Sequence, residues 1–180
     1  RKGIKAVTLP AFGTSKRTHD NALLLSKELG VEFEEINLKK ALLSHFDDIH
    51  HDPNNHNVTY ENAQARERTQ VLMDIANDEN SLMLGTGDLS ELCLGWTTYN
   101  GDHMSMYGVN ASIPKTLVRY LCEGYAKIHP EAAPSLNDII DTPISPELLP
   151  LDQKGKIQQQ TEDVVGPYEV VDFIIYHFLR

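Results

Sequence analysis

Two cysteines and one tryptophan in 180 residues leave little room for a disulfide scaffold, and no apolar run approaches the length of a membrane span. Cys93 and Cys122 both fall inside apolar helical patterns, which predicts reduced core thiols and a cytoplasmic protein. No membrane partner is expected. Basic residues are also scarce: 16 Lys and Arg stand against 26 Asp and Glu, a formal net charge of -10, and they gather into no stripe. That balance excludes a nucleic-acid groove. An anionic substrate would have to be held by a few placed cations, by helix N-termini or by a metal. What the chain does have is apolar material, 41% of its residues, in a length suited to one α/β domain. It starts at Arg1 without a methionine, with a strand pattern already under way, which reads as a piece of something longer.

Residues 3–38, "GIKAVTLPAFGTSKRTHDNALLLSKELGVEFEEINL", give strand, loop, helix, strand, the βαβ unit of a parallel sheet. Pro10 and Gly13 shape the loop, residues 14–18 make it polar and basic, and Gly30 ends the helix. Ligands of open parallel sheets bind beyond the carboxyl ends of the strands, where this loop sits. The alternative is a solvated loop with a helix cap at Thr18 or Asp20.

Residues 45–57, "HFDDIHHDPNNHN", hold four histidines and three aspartates, yet their spacing fits no zinc pattern, and Pro53-Asn54-Asn55 marks a turn. A polar loop is expected there, with no assignable role for its histidines. Residues 60–77, "YENAQARERTQVLMDIAN", form an amphipathic helix with Ala63, Val71, Leu72 and Ile75 inward. Arg66 and Arg68 either grip an anion or pair with Glu61 and Glu67.

In residues 82–96, "LMLGTGDLSELCLGW", Leu82-Met83-Leu84 ends a short buried strand, and Gly85 and Gly87 allow a tight exit turn. Asp88 is a good N-cap, and Glu91 completes a capping-box spacing. Helix initiation would explain both acids. So would a phosphate site, because a glycine-rich strand-to-helix turn presents free N–H groups and the positive end of a helix dipole, with an acid ready for magnesium. Asn100-Gly101-Asp102 is a turn, and Ser112-Ile113-Pro114-Lys115 starts a further helix with proline near its first position. Lys115 then lies in a first turn, where the dipole disfavours a cation. A phosphate partner would remove that conflict, and a solvated lysine would merely tolerate it. Residues 130–155 read as a proline-rich, acidic loop with short helical turns, and a last helix begins near Tyr168.

Several separated stretches, "TLPAFGTS", "VTYENAQARERTQVLMDIAN", "GTGDLSELCLGWTTYNGDHMSMYGVNASIPKTLVRYL", "DIIDTPISPELLP" and "QQTEDVVGPYEVVDFIIYHFLR", together resemble the synthetase domain of NAD synthetases. The resemblance is greatest to the long, glutamine-dependent form with a glutaminase domain upstream, and it covers nearly all 180 residues. It implies an N-type ATP pyrophosphatase with a doubly wound parallel α/β sheet. The implied reaction adenylates deamido-NAD, releases pyrophosphate, and lets ammonia displace AMP to give NAD. A carboxylate is a poor acyl donor, so such an enzyme must align two anions and neutralise their charge.

The resemblance carries over residue by residue. It implies ATP contacts for Thr86, Lys115 and Thr142, and a deamido-NAD site formed by Asn62, Arg66, Glu91, Trp96, Thr97, Thr98 and Tyr99, an aromatic wall suited to stacking on a pyridine ring. Glu91 is the implied magnesium ligand, and residues 9–14 the segment near the adenosine. Ammonia or glutamine as nitrogen source and a homo-oligomeric assembly are implied as well. Two departures stand out. The family's Ser-Gly-Gly-x-x-Ser phosphate loop and first strand are absent before Gly3, and so is a C-terminal lysine that binds the dinucleotide in relatives, so residues 1–180 read as a synthetase domain incomplete at both ends. The competing readings are another ATP-pyrophosphatase amidotransferase, which need not keep "GWTTYNGD", and a catalytically inactive nucleotide-binding domain. These 180 residues alone are expected to form no NAD from deamido-NAD, ATP and ammonia. Chromatographic detection of NAD in that mixture would overturn the expectation.

Overall fold

The βαβ pattern at the start of the chain forms as the sequence predicts. In the computed structural model, which describes residues 3–152 and 159–180, β1 (Lys5–Thr8), α1 (Lys16–Glu28) and β2 (Glu32–Glu35) follow in order. β1 and β2 pair in parallel from Lys5↔Glu32 to Thr8↔Glu35, and Ile36 N–H extends the ladder to Thr8 O at 2.9 Å. The helix starts earlier than Thr18 or Asp20. Ser15 is the N-cap: its backbone is extended and its Oγ accepts the Thr18 N–H at 3.1 Å, so Lys16 and Arg17 belong to the first turn. At the other end Gly30 adopts φ +62°, with its N–H on Lys27 O and the Val31 N–H on Ser26 O. That closing geometry costs a side chain about 1 kcal/mol, which is why glycine stands there.

The chain folds as two compact units, residues 1–37 with 116–164 and residues 38–115 with 165–180. In the first, α1 packs on α6 (Ala133–Ile140), with most of α5 (Lys115–Ile128) completing a small core of Ala126, Ala132 and Leu136 lined by Leu25, Leu29 and Cys122. Burial pushes the Cys122 thiol pKa up, consistent with an unreactive packing role. Arg17 Nη2 meets Asp138 Oδ1 at 2.6 Å and Asn21 Nδ2 donates to Asp138 Oδ2 at 2.6 Å, and these bonds pull the Asp138 carboxyl down to about 2. The expected loop with short helical turns is thus α6 followed by irregular chain through residue 152; its last part, 153–155, lies outside the described residues. That irregular chain returns to α1. The Glu147 carboxylate accepts from the Ser15 N–H and the Thr18 hydroxyl, supplying the negative charge that a helix start favours.

In the second unit, α2 (Lys39–Asp48) buries Leu38, Leu42 and Phe46. α3 (Val58–Asp78) is capped by Asn57, whose side chain accepts the Thr59 and Tyr60 N–H groups. Its buried face is Tyr60, Ala63, Gln64, Ala65, Thr69 and Ala76, whereas Val71, Leu72 and Ile75 are half-buried. Gln64 is tolerated inside because its Nε2 donates to Tyr60 O at 3.1 Å. The histidine stretch is only partly a loop. His45 lies in α2, His50 closes that helix at φ +56°, and the rings of His51 and His56 sit 5.1 Å and 4.6 Å from Phe46 and Tyr60.

β3 (Leu84–Gly85) and β4 (Tyr107–Gly108) form a second parallel pair. The buried strand expected at 82–84 is not found: Leu82 and Leu84 are 60% and 52% exposed, because a parallel strand is buried only when covered on both faces, and here a two-residue partner flanks it. α4 (Leu89–Leu94), α7 (Glu162–Val165) and α8 (Tyr168–Phe178) complete the described elements, the last starting where the sequence predicts. Cys93 is exposed rather than in the core, since six residues of α4 bury one face and that face carries Ser90. No helix among the described residues is long and apolar enough to cross a membrane.

A Cβ on Gly13 would lie 2.6 Å from both the Glu147 carbonyl carbon and Leu149 O, which are backbone atoms and cannot rotate away. Gly13→Ala is expected to cost about 1–3 kcal/mol, read as a lowered apparent melting midpoint of the full-length protein. An unchanged midpoint would contradict this close approach.

Candidate nucleotide site

The turn after β3 leaves Thr86 exposed and delivers Asp88, 2% exposed, to the start of α4. Asp88 Oδ1 accepts the Glu91 N–H at 3.0 Å, and Glu91 Oε2 accepts the Asp88 N–H at 3.1 Å, a complete capping box. Each carboxylate has a second oxygen to spare. Asp88 Oδ2 and Glu91 Oε1 converge on Lys115 Nζ at 2.6 Å and 2.7 Å. Helix capping and cation binding therefore do not compete, because they use different oxygens of the same groups.

Lys115 is brought there by the backbone. Leu89 N–H donates to Ile113 O at 3.0 Å, and Lys115 N–H donates to Ser90 Oγ at 2.9 Å. Ser90, fully buried, is in turn bonded to Asp172 on α8, and the Tyr168 ring of the same helix lies 5.6 Å from Nζ. Burial opposes the charge on Lys115, yet the hydrogen bonds to Asp88 and Glu91 and their negative charge outweigh it and raise its pKa. Burial likewise pushes the Tyr168 phenol up to about 12. The conflict between a cation and the helix start is resolved here by two carboxylates.

Asn62, Arg66 and residues 96–99 form a wall in the same unit. Asn62 Oδ1 accepts the Thr98 hydroxyl at 2.8 Å, and Arg66, one turn further along α3, donates from Nε to Tyr99 O at 3.0 Å. Arg66 is exposed, and the partner of its Nε is a backbone carbonyl rather than Glu61 or Glu67. Asp102, in the Asn-Gly-Asp turn, accepts the Thr98 N–H at 2.7 Å, and Gly101 N–H returns to Thr98 O. Trp96 and Thr97 are half-buried, and Tyr99, 75% exposed, stacks on His103 with centroids 5.7 Å apart. Gly95 at φ +64° ends α4 and lets the Trp96 N–H bond Glu91 O at 3.0 Å, so the wall is tied to the carboxylate pair. Sequence reasoning missed His103, Ser90 and Asp172; His103 was signalled by the turn beside it, the other two by nothing local. Thr142 belongs to the first unit, where its hydroxyl donates to Asp138 O at 2.7 Å after the end of α6. Leu9 and Ala11 of the 9–14 segment are buried in that same unit.

The family model for NAD synthase matches residues 1–179. The chain belongs to the NAD synthase family. The glutamine-dependent NAD(+) synthetase of Mycobacterium leprae is 42% identical over the whole of this chain, which spans 28% of that protein's length. Among solved structures, NMN synthetase from Francisella tularensis superposes with a TM-score of 0.76 at 22% identity, over 96% of this chain and 66% of that one. The glutamine-dependent NAD+ synthetase of Acinetobacter baumannii in complex with ADP gives 0.68 at 23% identity, over 97% of this chain and 34% of that one. At those identities the likeness establishes the fold, and the α/β class with parallel strand pairs agrees with it.

In this NAD synthase chain the Lys115 ammonium neutralises a carboxylate that is almost fully buried, so Lys115→Met is expected to destabilise the full-length protein by about 3 kcal/mol. Adding Asp88→Asn should recover much of that loss, because asparagine still caps α4 without a charge. Denaturant unfolding of the single and double variants measures both. Equal stability of Lys115→Met and the parent would refute the neutralising role.

Proposed function

We propose that the protein carrying this chain amidates deamido-NAD to NAD through an adenylated intermediate, releasing AMP and pyrophosphate, with ammonia supplied by a glutaminase domain outside these residues. The single observation that carries the reading is the convergence of Asp88 and Glu91 on the Lys115 ammonium beside the Thr86 turn. It is a preformed arrangement of one cation and two cation-binding oxygens at the start of a helix, suited to a metal-bound triphosphate. The family membership and the names of the relatives point the same way.

Thr86 and Lys115 bind the triphosphate in this reading, and Thr142 makes a further ATP contact. Asn62, Arg66, Trp96, Thr97, Thr98 and Tyr99, with Glu91, hold deamido-NAD, the exposed Tyr99 ring offering a face to the pyridine. Glu91 is the magnesium ligand. Its fit is supported by the ammonium already seated 2.7 Å from Oε1, since an oxygen that binds one cation at that distance is placed to bind another. Magnesium bound there supplies neutralisation of the phosphate charge. Lys115 would offer its ammonium to the same phosphates, while Asp88 caps α4 through Oδ1. The chain is a portion of the synthetase domain of a cytoplasmic homo-oligomer.

Product analysis on the full-length protein tests the reading, with deamido-NAD, ATP, magnesium and either glutamine or ammonium. NAD and AMP in equal amounts are expected, and turnover with glutamine places a glutaminase on the same chain. ADP in place of AMP, or no turnover with either nitrogen source by folded protein, would overturn it.

A further inference from the structure

We infer that Asp172 is a positioning residue for Lys115, acting through Ser90, an inference that rests on the reading of Lys115 as a triphosphate-binding lysine. The Lys115 N–H points at Ser90 Oγ at 2.9 Å, so Ser90 is the acceptor in that bond. A serine hydroxyl has one hydrogen, and its other close partner is the Asp172 carboxylate, which only accepts. The hydrogen is therefore committed to Asp172, and a lone pair is left facing Lys115. Without Asp172 the hydroxyl rotates freely and the first N–H of α5 loses a defined acceptor, in a turn where no intrahelical one exists.

Asp172 and Tyr168 are four residues apart on α8 and share a face. One helix thus governs Lys115 at both ends, its backbone through Asp172 and Ser90, and its ammonium through the Tyr168 ring 5.6 Å away. The stem between those ends is a flexible four-carbon chain. Fixing where it leaves the backbone sets which oxygens its tip can reach. Asp172 is 8% exposed and Ser90 fully buried. Satisfying one N–H would require only the serine, and a carboxylate is a costly thing to bury behind it. The bond from Ser90 to that carboxylate sets which way the hydroxyl points.

In the full-length protein, Asp172→Ala is expected to raise KM for ATP about tenfold, with KM for deamido-NAD little changed. Asp172→Asn should stay near the parent, because the amide oxygen still accepts from Ser90. Combining Asp172→Ala with Lys115→Ala should be no worse for ATP than Lys115→Ala alone, as two residues acting through one contact are not additive. Amide hydrogen exchange at Lys115, without nucleotide, should quicken in Asp172→Ala and not in Asp172→Asn. Should Asp172→Ala fail to fold, Ser90→Ala must raise KM for ATP selectively. An unchanged KM for ATP in Asp172→Ala, or in Ser90→Ala when it stands in, overturns the inference. So does a parallel rise in both KM values, or a double variant whose losses multiply. If Lys115→Ala itself leaves KM for ATP untouched, the reading of the site fails, and the inference with it.

Discussion

The ammonium of Lys115 lies between Asp88 Oδ2 and Glu91 Oε1, and the start of α4, the start of α5 and one face of α8 are arranged around it. Two acids close together at a helix start would repel each other, and one of them is almost fully buried. A single cation reached by both removes that penalty and makes the turn possible. The capping box then has a second purpose. By taking one oxygen of each carboxylate it aims the other at a common point, so that local helix chemistry sets the geometry of a cation site.

The wall of Trp96 to Tyr99 follows from the same turn. α4 is short because Gly95 ends it in a left-handed conformation, and the Trp96 N–H closes back on Glu91 O. The residues after it are pinned by Asn62, Arg66 and Asp102, each accepting or donating to the backbone or hydroxyl of Thr98 or to Tyr99 O. These bonds fix the Thr98 hydroxyl and the backbone of Thr98 and Tyr99, while the Tyr99 ring stays exposed against His103. α3 contributes twice, with Asn62 and Arg66 on one side and an apolar face packed behind them.

Legibility in the sequence tracked the range of the interaction. The βαβ unit, the Asp88–Glu91 box, the long helix over α3 and the helix from Tyr168 were readable because each depends on residues within a few positions of one another. The N-cap of α1, expected at Thr18 or Asp20, lies at Ser15, because serine, threonine and aspartate are all good caps and the choice involves Glu147, 132 positions from Ser15. α2 went unread although Leu38, Leu42 and Phe46 repeat every fourth residue, since the histidines around it suggested a loop. His51 and His56 are there instead as rings against Phe46 and Tyr60. Cys93 and Leu84 were assigned to a core by their apolar neighbours, and such patterns do not say whether anything covers the face.

By itself the sequence determined the α/β class, the family, and which residue types stand at the turn, at the helix start and along the wall, because those are set by local backbone chemistry and by motifs in fixed order. Tertiary structure decided what Lys115 neutralises, that Ser90 and Asp172 stand behind it, that Arg66 holds a backbone carbonyl, and that Thr142 bonds Asp138 in the first unit. The physical reason is that an ion pair or a buried hydrogen bond between residues 24 or 82 positions apart leaves no periodic trace in the chain. It exists only once packing has brought the partners within reach and removed the water that would otherwise satisfy them.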